Sequence, residues 1–338
     1  MKRELLDLIV CPDCAEDLSL EVERESGDQV EAGTLTCPSG HRFPIRDAVP
    51  RFVPDDSYAD AFGIEWNEFR TAHLQQFTGL DYLDRQLQDH LDFPLDQLDG
   101  KLALDAGAGL GRFCEVVLNH GGNVVAVDLS HAIDAAYENL GHRDGIHFIQ
   151  ADIFRLPFRP ETFDLVYSWG VLHHTPDPPA AFRQLPPLVR PGGKLMTFVY
   201  ASYNKAYITT TEFYRRYTKR LPRRLLLMLC HIAIPLYYFN KIPVIGPFVT
   251  RVLLPVSVHP PTHRWRVGNT FDLYSPEYTH FYDHVEVHRW FERAGFDRIR
   301  PVAPESSTGG GVSFIATKPP LDGAEWDDAA ERRELLAD

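Results

Sequence analysis

Cysteine is scarce in this chain, and its count is odd. Five occur in 338 residues, and three of them, Cys11, Cys14 and Cys37, fall in the first forty positions. A disulfide framework needs paired, distributed cysteines, so this clustering points to metal ligation and a reducing cytoplasm. Long apolar runs are missing as well. The longest, Leu225 to Ile234, contains His231, meets Pro235, and falls short of the roughly 20 residues a membrane-spanning helix needs. The opening Met1-Lys2-Arg3-Glu4-Leu5 lacks the apolar stretch of a signal peptide. Basic residues are outnumbered, 34 against 47 acids, for a formal net charge of −13. Hydrophobic content of 44% and charged content of 24% are those of a globular protein with one large domain plus appendages.

What the chain does have is a glycine turn of unusual spacing. Leu104-Asp105-Ala106-Gly107-Ala108-Gly109-Leu110-Gly111 follows the apolar Leu102 to Leu104 and leads into a helical stretch, Phe113 to Leu118. A strand, a glycine turn and a helix N-terminus make a nucleotide-binding corner. A dinucleotide fingerprint spaces its glycines two and then three apart, whereas these fall at successive steps of two. Asp105, two residues ahead of Gly107, repels phosphate and attracts a cation. Further strand-like runs follow, each ending at a functional-looking residue. Asn123 to Asp128 and Ile146 to Asp152 end in acids, Phe163 to Trp169 precedes Gly170, and Arg190-Pro191-Gly192-Gly193 turns into a run ending at Tyr200. A carboxylate at the end of the second strand is placed to accept ribose hydroxyls.

This ordered set resembles class I S-adenosylmethionine-dependent methyltransferases over residues 101–200. The resemblance implies an α/β fold: a Rossmann-like seven-stranded sheet with helices on both faces. It also implies an S-adenosylmethionine site drawn from Asp105, Gly107, Gly109, Gly111, Asp128, Leu129, Asp152, Ile153 and Ser168. In that pattern Asp152 meets the adenine amino group and Ile153 lines the ring.

The head, residues 1–57, carries Cys11-Pro12-Asp13-Cys14 and Cys37-Pro38-Ser39-Gly40-His41. Thiolates two residues apart on a tight turn converge on one ion, and a second turn closes a tetrahedron. Cys11, Cys14, Cys37 and His41 give a closed, structural zinc site. The region resembles the zinc-ribbon head found before some bacterial methyltransferases and in methyltransferase activator subunits. A related arrangement in rRNA guanine methyltransferases makes an RNA methyltransferase the alternative. Six Lys and Arg stand against thirteen acids in this head, a field that disfavours a phosphate backbone. Nucleic acid is therefore not the expected partner. Cys114 and Cys230 lie on apolar helical faces and read as packing residues.

Residues 58–100 form a bridge, in which Trp66 and Phe69 are candidates to cover the cofactor and Leu80 to Leu91 has a helical period. After Tyr200 an insertion, residues 201–275, inverts the charge. From 201 to 266 eleven Lys and Arg face Glu212 alone, beside the Leu225 to Phe239 apolar segment. Two readings stand: a lid burying its apolar face on the sheet, or an interfacial element touching a membrane peripherally. Residues 276–318 close the sheet with a helix over Asp283 to Phe296 ending at Gly295, then strands at Arg298 to Ala303 and Val312 to Lys318. The tail, 319–338, is acidic, poor in apolar residues and expected to be mobile.

A sulfonium donor carries its own leaving group, so the protein must align the acceptor and remove a proton. The Asn/Asp-Pro-Pro-Tyr/Phe motif of many nucleic-acid amino methyltransferases is absent after the fourth strand, where Ser168-Trp169-Gly170-Val171 stands. That favours an oxygen or carbon acceptor on a small molecule, lipid-linked or isoprenoid acceptors included, as in quinone-biosynthesis methyltransferases. His173 and His174 are the first candidates for base or orienter, His280 and His284 the next. Tyr203, Tyr207 and Tyr214 are candidate pocket residues. A non-catalytic S-adenosylmethionine-binding or activator protein is the last alternative, opposed by the intact Asp105, Asp128 and Asp152.

Overall fold

The computed structural model describes residues 1–53, 71, 74–302 and 310–320. The expected lid residues Trp66 and Phe69 and nearly all of the tail lie outside the described residues. Four head strands, β1 (Ser19–Ser26), β2 (Gln29–Thr36), β3 (Arg42–Arg46) and β4 (Val49–Pro50), pair in sequence order as an antiparallel sheet. Seven more make the main sheet: β5 (Leu102–Ala106), β6 (Asn123–Asp128), β7 (Ile146–Gln150), β8 (Phe163–Trp169), β9 (Val189–Tyr200), β10 (Asp297–Pro301) and β11 (Gly311–Thr317). Their order is β10-β11-β9-β8-β5-β6-β7, with β11 antiparallel to both neighbours and the rest parallel. The closing hairpin thus spans Asp297–Pro301 and Gly311–Thr317 rather than the expected 298–303 and 312–318.

Helices follow in chain order: α1 (Gln75–Thr78), α2 (Tyr82–Gln88), α3 (Arg112–Asn119), α4 (Ala132–Leu140) and α5 (Pro178–Phe182). The insertion supplies α6 (Lys205–Thr218), α7 (Arg223–Cys230), α8 (Ala233–Phe239), α9 (Ile245–Phe248) and α10 (His263–Tyr274), and α11 (His284–Arg293) closes the set. The start of α11 is fixed by a capping box: the Glu286 N–H donates to Asp283 Oδ1 at 2.8 Å and the Asp283 N–H to Glu286 Oε2 at 3.0 Å. The apolar segment from Leu225 is not one helix, because α7 ends at Cys230 and α8 begins at Ala233.

Alternation along the parallel strands divides the core. Leu104, Ala106, Val125, Val127 and Val166 point into one apolar cluster, and Ala103, Val124, Ala126, Leu165 and Tyr167 into the other. The first cluster continues into the head through Leu5, Ile9, Leu35, Phe43, Ile45 and Phe52. The head is therefore packed as part of the core, beside β7. The Phe52 N–H donates to Gln150 O at 2.8 Å, and Arg51, buried, reaches Asp134 Oδ1 at 2.6 Å and Gln150 Oε1 at 3.1 Å. From β5 the chain proceeds outward through β6 and β7, then crosses back to β8 on the other side of β5. That switch point opens a crevice at the carboxyl ends of the strands.

Candidate functional site

A cavity of about 810 Å³ occupies the crevice, within the range of small-molecule sites. Its donor side is the turn after β5. Gly107, Gly109 and Gly111 all have positive φ, and a Cβ at Gly107 would stand 2.2 Å from Val171 Cγ2. Only glycine lets this loop pass so close to Val171, two residues past β8. The Gly109 N–H donates to Asp128 Oδ2 at 2.9 Å, and the Ser130 N–H and hydroxyl donate to Oδ1 at 2.9 and 2.7 Å. Asp105 is fully buried; burial pushes its carboxyl up to about 7, opposed by the Cys114 thiol, which donates to Oδ2 at 3.4 Å, and by Arg112 nearby. Burial also raises Asp128, against its three donors.

Among the sequence candidates, Asp105, Gly107, Gly109, Asp128, Leu129, Ile153 and His174 line the cavity together. Gly111, Asp152, Ser168 and His173 stand outside its lining. Gly111 starts α3, and a Cβ there would meet Leu140 Cδ1 at 2.9 Å. Asp152 accepts the Phe154 N–H at 3.0 Å, and the buried Ser168 hydroxyl donates to Ala106 O at 2.8 Å, tying β8 to β5. His173 is fully buried against the Tyr200 ring, centroids 3.8 Å apart, and burial holds its pKa well below the usual range. His174 bonds Tyr278 O through Nδ1 at 2.9 Å, and burial lowers it to about 4.

The other walls are aromatic. Phe113, Trp169, Phe198, Tyr200, Tyr207 and Phe281 line them, with Trp169 stacked on Phe198 at 5.1 Å and tilted on Phe113 at 4.6 Å. Tyr203 joins them; Tyr214 does not, since its hydroxyl donates to Leu253 O at 3.0 Å in the insertion's own core. His280 and His284 are likewise outside the lining. The cavity also holds charged and titratable groups that motif reading passed over, among them His90, Arg112, His259 and Asp272. A signal existed: between residues 201 and 275 the only acids are Glu212 and Asp272.

In the head, the ligand atoms of Cys11, Cys14, Cys37 and His41 all lie within 4.8 Å of one another. Cys14 and Cys37 sulfurs are 3.6 Å apart, and His41 Nδ1 stands 3.5 Å from Cys11 Sγ and 3.3 Å from Cys37 Sγ. Tetrahedral zinc with bonds of about 2.3 Å to sulfur and 2.0 Å to nitrogen sets ligand separations of roughly 3.5–3.8 Å, so the set fits that ion. Glu16 holds the second knuckle, its Oε2 accepting from the Ser39 hydroxyl at 2.5 Å and the Ser39 N–H at 3.1 Å.

Residues 104–197 match the family model of the methyltransferase domain, and residues 2–47 match that of Trm112p-like proteins. The chain carries a class I methyltransferase domain behind a Trm112-like zinc-ribbon head. S-adenosylmethionine is the methyl donor of that domain family. A ubiquinone biosynthesis O-methyltransferase of Coxiella burnetii is 31% identical over 150 residues, 43% of this chain and 60% of that protein. Another, from Aromatoleum aromaticum, is 31% identical over 161 residues, 46% of this chain and 64% of that protein. The chain thus spans under two thirds of these relatives' length. Among solved structures, a complex between the Haloferax volcanii Trm112 methyltransferase activator and a methyltransferase aligns with a TM-score of 0.47 and 14% identity. It covers 77% of this methyltransferase-domain chain and 98% of the other.

Proposed function

We propose that this protein transfers a methyl group from S-adenosylmethionine to an oxygen of a small hydroxyaryl acceptor, lipid-linked acceptors included. The observation that carries the reading is a single cavity joining the Asp105–Gly109 loop and Asp128 to an aromatic wall partly built by the insertion. In this reading the Asp105 carboxylate receives the donor's ammonium, Asp128 its ribose hydroxyls, and Ile153 packs on the adenine. The sulfonium supplies a methyl with its own leaving group. The protein's part is to hold the acceptor in line, exclude water and accept a proton. The similarity to O-methyltransferases supports oxygen over carbon. Calorimetry with S-adenosylmethionine tests the donor site, and untargeted metabolite profiling of a deletion strain tests the acceptor. No heat of binding in the metallated protein would sink the reading.

We also propose that the insertion rests on an anionic membrane, because α6 and α7 leave large apolar side chains exposed among cations. On α6, Arg215 is buried while Phe213 and Tyr217 are exposed. On α7, Leu226 and Cys230 face Phe271 and Val267 of α10, whereas Leu225, Met228 and Leu229 form an exposed stripe that Ile232, just past the helix end, continues. Thirteen of the sixteen exposed large hydrophobic residues among the described residues fall between Tyr203 and Leu253. Exposed Arg216, Arg220, Arg224 and Lys241 lie among them. Apolar side chains rimmed by cations suit a headgroup layer. No helix among the described residues is long and apolar enough to cross a membrane. Sedimentation with phosphatidylglycerol vesicles at low and high salt tests the contact. Pelleting no greater than with vesicle-free protein would sink it.

A further inference from the structure

We propose that Asp272 is the general base for the acceptor, taking the hydroxyl proton of a phenol or catechol bound against the aromatic wall. This rests on the methyl-transfer reading above. Asp272 belongs to α10, eight of whose twelve residues are buried, so its backbone is rigidly placed. The side chain lines the cavity, and no hydrogen bond or ion pair within 4 Å occupies its carboxylate among the described residues. The side chain is half-buried and its carboxylate opens on the cavity, where a bound ligand can meet it.

Its neighbours place it beside the donor loop. Arg112, one residue past Gly111, lines the same cavity and interacts electrostatically with both Asp272 and Asp105. From α6, Tyr207 faces Asp272 in the cavity, and Arg215 acts on it from behind the wall. Burial raises the Asp272 carboxyl to about 6, with Arg112 and Arg215 opposing the rise. The Tyr207 phenol is pushed up to about 12 by burial and then by Asp272, so it stays a neutral hydrogen-bond donor.

The histidines beside β8 are weaker candidates, and burial lowers His90 and His259 elsewhere in the lining. His173 stands outside the lining, and His174 is lowered to about 4 with Nδ1 already committed to Tyr278. A carboxylate near 6 is ionised at neutral pH yet more basic than that imidazole, which suits a proton acceptor. The step balances simply. As the acceptor oxygen bonds to the donor methyl carbon, its O–H proton passes to Asp272 and the C–S pair returns to sulfur. The products are the methyl ether, S-adenosylhomocysteine and a neutral Asp272, which then releases its proton to water. Arg112 faces the negative charge that grows on the acceptor oxygen.

The test compares wild type and Asp272→Asn on catechol and on 4-nitrocatechol, the latter largely ionised near neutral pH and so needing little help from a base. A general base contributes about 10²–10⁴-fold. Asp272→Asn should lose that factor in kcat on catechol and far less on 4-nitrocatechol, with S-adenosylmethionine affinity and Tm held. Equal losses on both probes would make Asp272 structural, and no loss on either would make it a bystander. Wild type that binds S-adenosylmethionine but methylates neither probe would remove the hydroxyaryl acceptor and this base together. Wild type that binds no S-adenosylmethionine would instead overturn the methyl-transfer reading itself.

Discussion

The Gly109 amide donates to Asp128 Oδ2 at 2.9 Å, so the glycine turn after β5 and the acid ending β6 are one unit. With Ser130 supplying two donors to the other oxygen, the carboxylate is aimed before any ligand arrives. Asp128→Asn should break this arrangement, since an amide turns an N–H toward one of those donors. The expected cost is about 1–3 kcal/mol of stability, the scale of a buried donor left unsatisfied. S-adenosylmethionine affinity should fall at least tenfold by calorimetry. Unchanged affinity would mean the unit does not hold the donor.

Asp105 makes a prediction whose two halves have opposite signs. Its folded-state pKa, about 7, lies above the unfolded value near 4, so the folded protein binds the extra proton. Stability from this group therefore falls as pH rises from about 4 through 7. Asp105→Asn should melt higher than wild type at pH 8 without ligand, by an amount that shrinks toward pH 5. The same variant should lose S-adenosylmethionine binding, and wild-type affinity should weaken below pH 7 as the carboxyl is neutralised. Thermal melts and calorimetry across pH check both.

Much of this was legible in the sequence. Strands β5 to β8 follow from apolar runs leading to Asp105, Asp128, Asp152 and Trp169, and β9 from the run ending at Tyr200, because a buried parallel strand leaves a continuous apolar signature. The cluster of Cys11, Cys14, Cys37 and His41 could be read from spacing alone. What escaped was side-chain direction. Ser168 and Asp152 occupy the expected positions, yet one bonds its neighbouring strand and the other its own turn. His173 and His174 are adjacent in sequence, but only His174 reaches the cavity. Asp272 lay hidden because an acid on an insertion helix has no motif. Gly107 is a position where the reason changed: a valine there would strike Val171 before it met a ligand.

The head should stabilise the core rather than hang from it. Leu35, Ile45 and Phe52 share a cluster with Leu104 and Val125, so one cooperative transition is expected for both. Arg51→Ala would leave Asp134 and Gln150 without their guanidinium and cost about 2–3 kcal/mol. Removing zinc with a chelator, or Cys37→Ser, should lower the melting temperature of the whole chain, with about one equivalent of zinc found before treatment. A separate early transition confined to the head would contradict this coupling.

The basic residues of the insertion divide into two kinds, and only one kind should matter for membranes. Arg215 donates to Leu273 O at 3.0 Å and Pro276 O at 2.8 Å from a fully buried position, and Arg266 donates to Pro260 O at 2.8 Å. Those side chains hold α6 and α10 in place. Arg215→Gln should therefore destabilise the protein by about 2–4 kcal/mol, because it strands buried carbonyls. Arg216, Arg220 and Arg224 are exposed and free to meet headgroups. Changing those three to Gln should leave the melting temperature within a degree or two. It should also cut pelleting with phosphatidylglycerol vesicles severalfold at low salt, since each cation near an anionic surface contributes about 1 kcal/mol. Met228→Ser with Leu229→Ser should weaken binding to neutral and anionic vesicles alike, while the charge variant affects only the anionic ones. If all three proteins pellet equally, the exposed stripe on α7 is not a membrane contact.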